Sequence, residues 1–349
     1  MKILVIGGRG FLGGHMVRIL KEIFASSQIY IGSRSQISPN HVKIDLEKPE
    51  DYDVMKDYDY VVNCDSFNSE IYEGLIKYCI NQQITFIETA ADPKVIETIL
   101  QIRDRSKIIS EQSGLFILGA GIFPGFSNLL CKQSIDRNSP VEKIELAIRY
   151  NVLSGAGKGM CRLMIDTIGS HCFWFEHHSK ISSKAPFHSI KSLPFKNGKF
   201  SSLQVSLPET LFINSYARIS SVKSYISFMP TIMNKPAYYS FNAIPYTGFL
   251  KKYFLKFLYT FFILFRSKLL RNKKTDIQIS CVINDNIKSG IWFNDAFLAA
   301  GYFLASVISI IESRKEIKGL FTVEDIFTLE DVLNNIKKFD KDNLIFSSY

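Results

Sequence analysis

Three glycines near the N-terminus, Gly8, Gly10 and Gly13, make the first chemical statement in this sequence. They follow the apolar run Met1-Lys-Ile-Leu-Val-Ile6 and precede a helical pattern from His15 to Phe24. A dinucleotide needs this spacing. Gly8 permits the tight turn out of a strand, Gly10 lets backbone approach a diphosphate closely, and Gly13 lets the next helix pack against the strand. The N–H groups that open this helix, at Phe11, Leu12 and Gly13, are then free to meet phosphate, and the helix dipole favours the negative charge.

About twenty residues on, a second strand pattern, Gln28 to Ser33, runs into Arg34-Ser35, and no acidic residue follows until Asp45. An acid directly after that strand would hold a ribose 2′-hydroxyl. Ser33, Arg34 and Ser35 instead offer a cation and two hydroxyls, the groups that a 2′-phosphate takes, because guanidinium binds phosphate oxygens with two parallel hydrogen bonds. NADP (NADPH) is therefore expected over NAD, with Asp45 grouped among the residues around the cofactor.

Such groups need elements to hold them. Strand and helix patterns alternate through the first part of the chain: strands at 59–64, 84–88 and 115–119, helices at 71–81 and 94–104. Alternation of this kind predicts a parallel sheet covered on both faces, an α/β Rossmann-type doubly wound fold. Ligands there bind beyond the carboxyl ends of the strands, which points to Cys64, Asp65, Ser66, the stretch Glu88 to Asp92, and Gly119 to Asn128 with its Pro124-Gly125. From about Val141 the rhythm changes. A strand at 142–151, a helix from Lys158 to Phe175, short strands up to Tyr239, a hairpin at 275–292 and helices at 294–313 and 330–338 predict a second, α+β domain. The expected division is 1–130 for the NADP-binding domain and 131–349 for a substrate or dimerisation domain, with the C-terminal helices packing back on the first.

Composition narrows the partners. The chain has 349 residues, enough for two cores, and a net charge of +9. No helix-turn-helix, RNP or zinc-finger spacing accompanies that charge, so nucleic acid is not an expected partner. An anionic cofactor, an acidic substrate or an anionic membrane surface accounts for it. Six cysteines without a CxxC pair, and an N-terminus that reads as a strand rather than a leader, fit a cytoplasmic protein with reduced thiols.

Several of these segments together resemble the saccharopine dehydrogenase-like oxidoreductases. The likeness rests on Gly7-Gly-Arg-Gly-Phe-Leu-Gly13, Ser33-Arg34, Cys79-Ile80 followed by Phe86 to Asp92, Gly119-Ala-Gly-Ile-Phe-Pro-Gly-Phe-Ser-Asn128, and Gly319 to Phe327. It implies an NADP-dependent hydride transfer to a carbonyl, imine or activated alkene of a small or lipid-linked substrate. Two departures lie near the expected nicotinamide end. Cys64-Asp-Ser-Phe67 replaces a Gly-Pro-Phe turn, and Glu88 stands where the family has Asp. A non-catalytic NADP-binding sensor or scaffold is the alternative reading.

A reductase also needs a proton donor or an electrophilic partner for the developing anion. Asp92, Asp65 and Lys158 are the candidates. Lys158 sits in Ser154-Gly-Ala-Gly-Lys-Gly159, where flanking glycines would let it turn towards an anionic substrate. This is not the GxxxxGK[ST] spacing of a nucleoside triphosphate site. His171, Cys172, His177 and His178 lack a second cluster at ligand spacing, so no metal is expected. The remaining distinctive segment is Gly248 to Lys274, dense in aromatics around Phe254 to Phe265 and carrying cations at both ends. Only nine residues between Lys256 and Arg266 are uncharged, about 14 Å as helix against about 30 Å of hydrocarbon. The segment cannot span a bilayer. It suits a helix lying on the inner face of a membrane, a cap on a greasy pocket, a buried helix or a homodimer contact.

Overall fold

The computed structural model describes all residues except 36–37, 106–113, 244–248, 271, 315, 341–344 and 348–349. Gly248 and Arg271, near the ends of the aromatic segment, therefore lie outside the described residues. The chain divides into two compact units, Met1–Leu129 with Phe297–Asn343, and Leu130–Ala296 with Leu344–Tyr349.

The first unit opens with β1 (Lys2–Ile6), α1 (Phe11–Ile23), β2 (Gln28–Ser33) and β3 (His41–Lys43). It continues through β4 (Tyr60–Asn63), α2 (Tyr72–Asn81), β5 (Thr85–Glu88), α3 (Pro93–Arg105), β6 (Leu115–Leu118) and the start of α4 (Phe126–Arg137). Residues of β1, β4 and β6 are buried on both faces, as a parallel strand between helical layers must be. All pairings in this sheet are parallel. With β15 (Gly319–Thr322) its order is β15-β6-β5-β4-β1-β2-β3, so the chain winds one way from β1 through β2 and the other way from β4, and the crevice opens between β1 and β4.

The second unit contains β7 (Lys143–Asn151), α5 (Lys158–Gly169), β8 (Cys172–Glu176), β9 (Ser179–Ser183), β10 (Ile190–Phe195) and β11 (Gly198–Gln204). After these come α6 (Glu209–Tyr216), β12 (Ser221–Met229), α7 (Asn234–Asn242), α8 (Phe249–Phe262), β13 (Ile277–Ile283) and β14 (Ile287–Phe293). With β16 (Ile345–Ser347) the mixed sheet runs β10-β11-β12-β7-β13-β14-β16, with the β8–β9 hairpin joined to β12.

The last segment supplies α9 (Ala296–Ser313), β15 (Gly319–Thr322), α10 (Val323–Ile326), α11 (Leu329–Ile336) and β16 (Ile345–Ser347). β15 extends the first sheet beside β6, and β16 pairs with β14 in the second. By length and composition α9 would cross a membrane, but 72% of it is buried inside the protein, which makes it a core helix. Its Gly301 packs on Ile19 of α1, where any Cβ would strike the Ile19 side chain. Phe303 stacks edge-on against Phe126.

One sequence expectation fails clearly. The helix read from Lys158 to Phe175 stops at Gly169, and Cys172-Phe-Trp-Phe-Glu176 forms β8 instead. Strand pairing with β9 and β12 outweighs the local periodicity, and the aromatic residues suit a half-buried strand. His177 and His178 are the two-residue turn of the hairpin, with φ of 50° and 62°. His171 and His178 therefore share no helix face.

Candidate functional site

Each loop that leaves the carboxyl edge of the first sheet carries residues suited to a ligand. After β1 the chain turns sharply at Gly7, whose φ is 73° and whose missing Cβ leaves room for Asp65 from the β4 loop. Any other residue at 7 would strike Asp65. Gly13 is equally constrained, because a Cβ there would collide with the Gly7 carbonyl. Gly10 caps α1 with extended backbone, and no side chain satisfies the opening N–H groups of the helix. These N–H groups, on Phe11, Leu12 and Gly13, have no intrahelical acceptors. The turn thus presents donors and a positive dipole end, unblocked by side chains, as a diphosphate requires.

At the end of β2, Arg34 is exposed and Ser35 beside it is exposed as well. The Ser33 hydroxyl donates to the Ser35 carbonyl at 2.6 Å, so its proton serves the turn and not a ligand. Asp45 has a local task too, since its Oδ1 accepts from the Glu47 N–H.

The loops after β4 and β5 are tied together by a buried carboxyl group, the first residue of the Glu88 to Asp92 stretch. Glu88, fully buried at the end of β5, accepts from Asn63 Nδ2 at 2.9 Å, from the Tyr72 hydroxyl at 2.9 Å and from the Ala90 N–H at 2.8 Å. Burial outweighs these donors and pushes its pKa up to about 7. Asn63, its register partner on β4, also receives the Asp65 N–H on Oδ1 and donates to the Asp65 carbonyl. One buried pair therefore shapes both loops. The signal in the sequence was two apolar strand runs, Tyr-Val-Val-Asn and Thr-Phe-Ile-Glu, each ending in a polar residue that the strand interior would reject.

Among the predicted residues here, Asp65 is exposed and abuts Gly7, and its Oδ1 accepts from the Ser66 N–H. Cys64 is half-buried, and desolvation together with the Glu88 carboxyl pushes its thiol up to about 12, so it stays protonated. Asp92 caps α3, accepting the Lys94 N–H on Oδ1 at 2.8 Å. After β6, the Gly119–Gly125 loop closes on itself through Gly121 N–H to the Pro124 carbonyl and Phe126 N–H to the Gly121 carbonyl. Gly125 has φ of 141°, and a Cβ there would fall on the Gly121 carbonyl.

Lys158 belongs to the second unit. It is the exposed first residue of α5, behind Gly157, which caps the helix without a side chain. The preceding loop is pinned from below by Arg266, a residue that the sequence offers as one of the flanking cations of the aromatic segment. It is buried. Its Nε donates to the Ser154 carbonyl at 3.0 Å and its Nη2 to the Ser154 hydroxyl at 3.2 Å. Thr275 adds hydrogen bonds to the Ser154 hydroxyl and the Gly155 carbonyl.

No family model matches the chain, and no curated protein matches its sequence. The fold does have relatives among solved structures. Apo histidine-tagged saccharopine dehydrogenase (L-Glu forming) from Saccharomyces cerevisiae aligns over 100% of this chain and 99% of its own, with 11% identity and a TM-score of 0.58. A mutant meso-dapdh from Clostridium tetani E88 aligns over 98% and 99% at 12% identity, with a TM-score of 0.46 that is too low to argue from. The likeness is one of fold: a doubly wound, Rossmann-type parallel sheet with a second mixed-sheet unit.

Proposed function

We propose that this protein is an NADP-dependent oxidoreductase that reduces a carbonyl, imine or activated alkene of a small or lipid-linked substrate. The observation that carries the reading is the uncapped N-terminus of α1 behind a turn whose Gly7 and Gly13 admit no side chain. It leads out of β1, an interior strand of a parallel sheet, beside the crevice between β1 and β4. The likeness in fold to a saccharopine dehydrogenase supports the same class.

In this reading the N–H groups of Phe11, Leu12 and Gly13 hold the diphosphate, and Arg34, with the Ser35 hydroxyl, holds a 2′-phosphate. When bound, a reduced nicotinamide supplies the hydride. The chain's own residues do the rest. Asp65 and Ser66, on the loop set by Asn63 and Glu88, border the crevice together with Pro124 and Gly125. Lys158, in the second unit, is the candidate cation for an anionic or carbonyl-bearing substrate. Asp65 is the candidate donor of the one proton that the reduction takes. Asp92, committed to its helix, positions the β5 loop.

Fluorescence titration with NADPH and NADH tests the proposal. Tighter binding of NADPH is expected, and equal affinities would remove the assignment of Arg34. Failure to bind either nucleotide would remove the whole reading.

A further inference from the structure

The aromatic segment resolves into a helix with two different faces. On the inner side of α8, Leu255 and Phe262 pack against the core cluster of Ile168, Phe187, Leu203, Val205 and Phe228. On the outer side, Tyr253, Phe257 and Phe261 of α8 and Leu264 of the π-helical stretch that continues it (Ile263–Leu269) are 55%, 65%, 47% and 53% exposed. Their spacing of four, four and three residues places them in one stripe. Phe261 stacks between Phe257 and Phe265, with ring centroids 6.5 and 5.6 Å away, so the stripe is a continuous aromatic surface. Eight of the eleven large hydrophobic side chains exposed among the described residues fall between Ile232 and Leu269.

Charge says what would cover this surface. From Thr210 to Thr275, 66 consecutive residues hold eleven lysines and arginines and no aspartate or glutamate. The rest of the chain has 31 cations against 33 acids, so this tract carries the whole positive excess of the protein. Arg266 is buried and Lys223 is paired with Glu176, but Lys252, Lys256 and Lys268 are exposed on or just beyond α8, and Lys273 and Lys274 follow. An aromatic stripe bordered by exposed cations matches the boundary between acyl chains and anionic headgroups, where aromatic rings enter the interface and lysines stay at the phosphates. A second copy of this chain would bring the same uncompensated cations against themselves. Only the nine residues between Lys256 and Arg266 are free of charge, about 14 Å as helix and short of about 30 Å of hydrocarbon, and the inner face is already used by the core.

We infer that the outer face of α8 docks this protein onto a membrane bearing anionic lipid, with Tyr253, Phe257, Phe261 and Leu264 entering the interface. The inference is independent of the nucleotide chemistry.

Co-sedimentation of the full chain with vesicles tests it. Vesicles of phosphatidylcholine with about one third phosphatidylserine should pellet the protein, and phosphatidylcholine alone should not. Raising salt from about 0.1 to about 0.5 M should release it. The variant Phe257→Ser/Phe261→Ser/Leu264→Ser leaves the packed Leu255 and Phe262 in place, and should lower vesicle binding by about tenfold or more with NADPH affinity unchanged. If it does not fold, Lys252→Glu/Lys256→Glu/Lys268→Glu, all at exposed positions, should show the same loss with the aromatic stripe intact. No pelleting of the wild type, equal pelleting with both lipids, or wild-type binding by these variants would overturn the inference. So would a wild-type dimer that ignores vesicles and dissociates in the serine variant, because the stripe would then be a subunit contact.

Discussion

Glu88 and Glu324 are two buried acids on the carboxyl side of one sheet, and they differ in how they are satisfied. Glu88 accepts from three neighbours, whereas Glu324 accepts from Asn128 Nδ2 at 3.3 Å and keeps Oε1 without a hydrogen-bond partner, as Asn128 keeps Oδ1. Burial pushes Glu324 up to about 7. An acid whose folded pKa lies above its unfolded value holds a proton that the unfolded chain has lost, so stability falls as pH rises from about 4.5 to about 7. Replacing it with the neutral isostere removes that fall. Denaturant titrations should show Glu324→Gln gaining on the wild type by about 3 kcal/mol between pH 4 and pH 8. A difference that is flat with pH would mean that Glu324 keeps an ordinary pKa. At the cofactor turn, Arg34→Ala should weaken NADPH by about ten- to a hundredfold, the loss of a charge-assisted pair, and leave NADH nearly unchanged. Parallel losses for both nucleotides would show that Arg34 does not read the 2′-phosphate.

The turn between β1 and α1 separates two kinds of glycine. At Gly13 a methyl group meets backbone, the Gly7 carbonyl, which cannot step aside without moving the helix from the strand. At Gly10 it approaches only the Gly7 carbonyl, at 3.0 Å, and otherwise points into the open space before the helix. Gly13→Ala is therefore expected to lower the melting temperature and abolish nucleotide binding together. Gly10→Val should abolish binding with the circular dichroism spectrum retained, since its bulk falls where a diphosphate would lie. A Gly10→Val protein that binds NADPH normally would refute the phosphate assignment of this turn.

The first unit is completed by residues nearly three hundred positions after its first strand. α9 covers α1 through Gly301 and Ile19, its Phe297 packs against Phe11 and His15 beside the phosphate turn, and its Glu312 receives the Tyr60 hydroxyl from β4 at 2.9 Å. Phe303 is fully buried against Phe126, so Phe303→Ala should cost about 3–5 kcal/mol. Because Phe303 lies within the first unit's core and outside its turn, NADPH affinity of the folded fraction should survive. A cost under about 1 kcal/mol in denaturant unfolding would show that α9 does not close this core.

The doubly wound sheet was legible in the sequence because a buried parallel strand must be apolar throughout and its helices must repeat near 3.6. The glycines were legible from their spacing, and at Gly7 and Gly13 neighbouring atoms leave no room for a side chain. Tertiary pairing decided the rest. Cys172-Phe-Trp-Phe-Glu176 carries no pattern that separates a buried helix end from a strand, and only β9 and β12, which offer hydrogen-bonding edges, settle it. Glu88 looked like a conservative change at a turn, and its importance lies in Asn63 and Tyr72, which meet it only when β4, β5 and α2 are packed. Arg266 read as a surface cation among lysines, yet folding places it beneath the Ser154 loop, where carbonyl and hydroxyl oxygens replace its water. Local propensity and periodicity report which surfaces must be hidden. Which polar group meets which depends on distances in space that the order of residues does not contain.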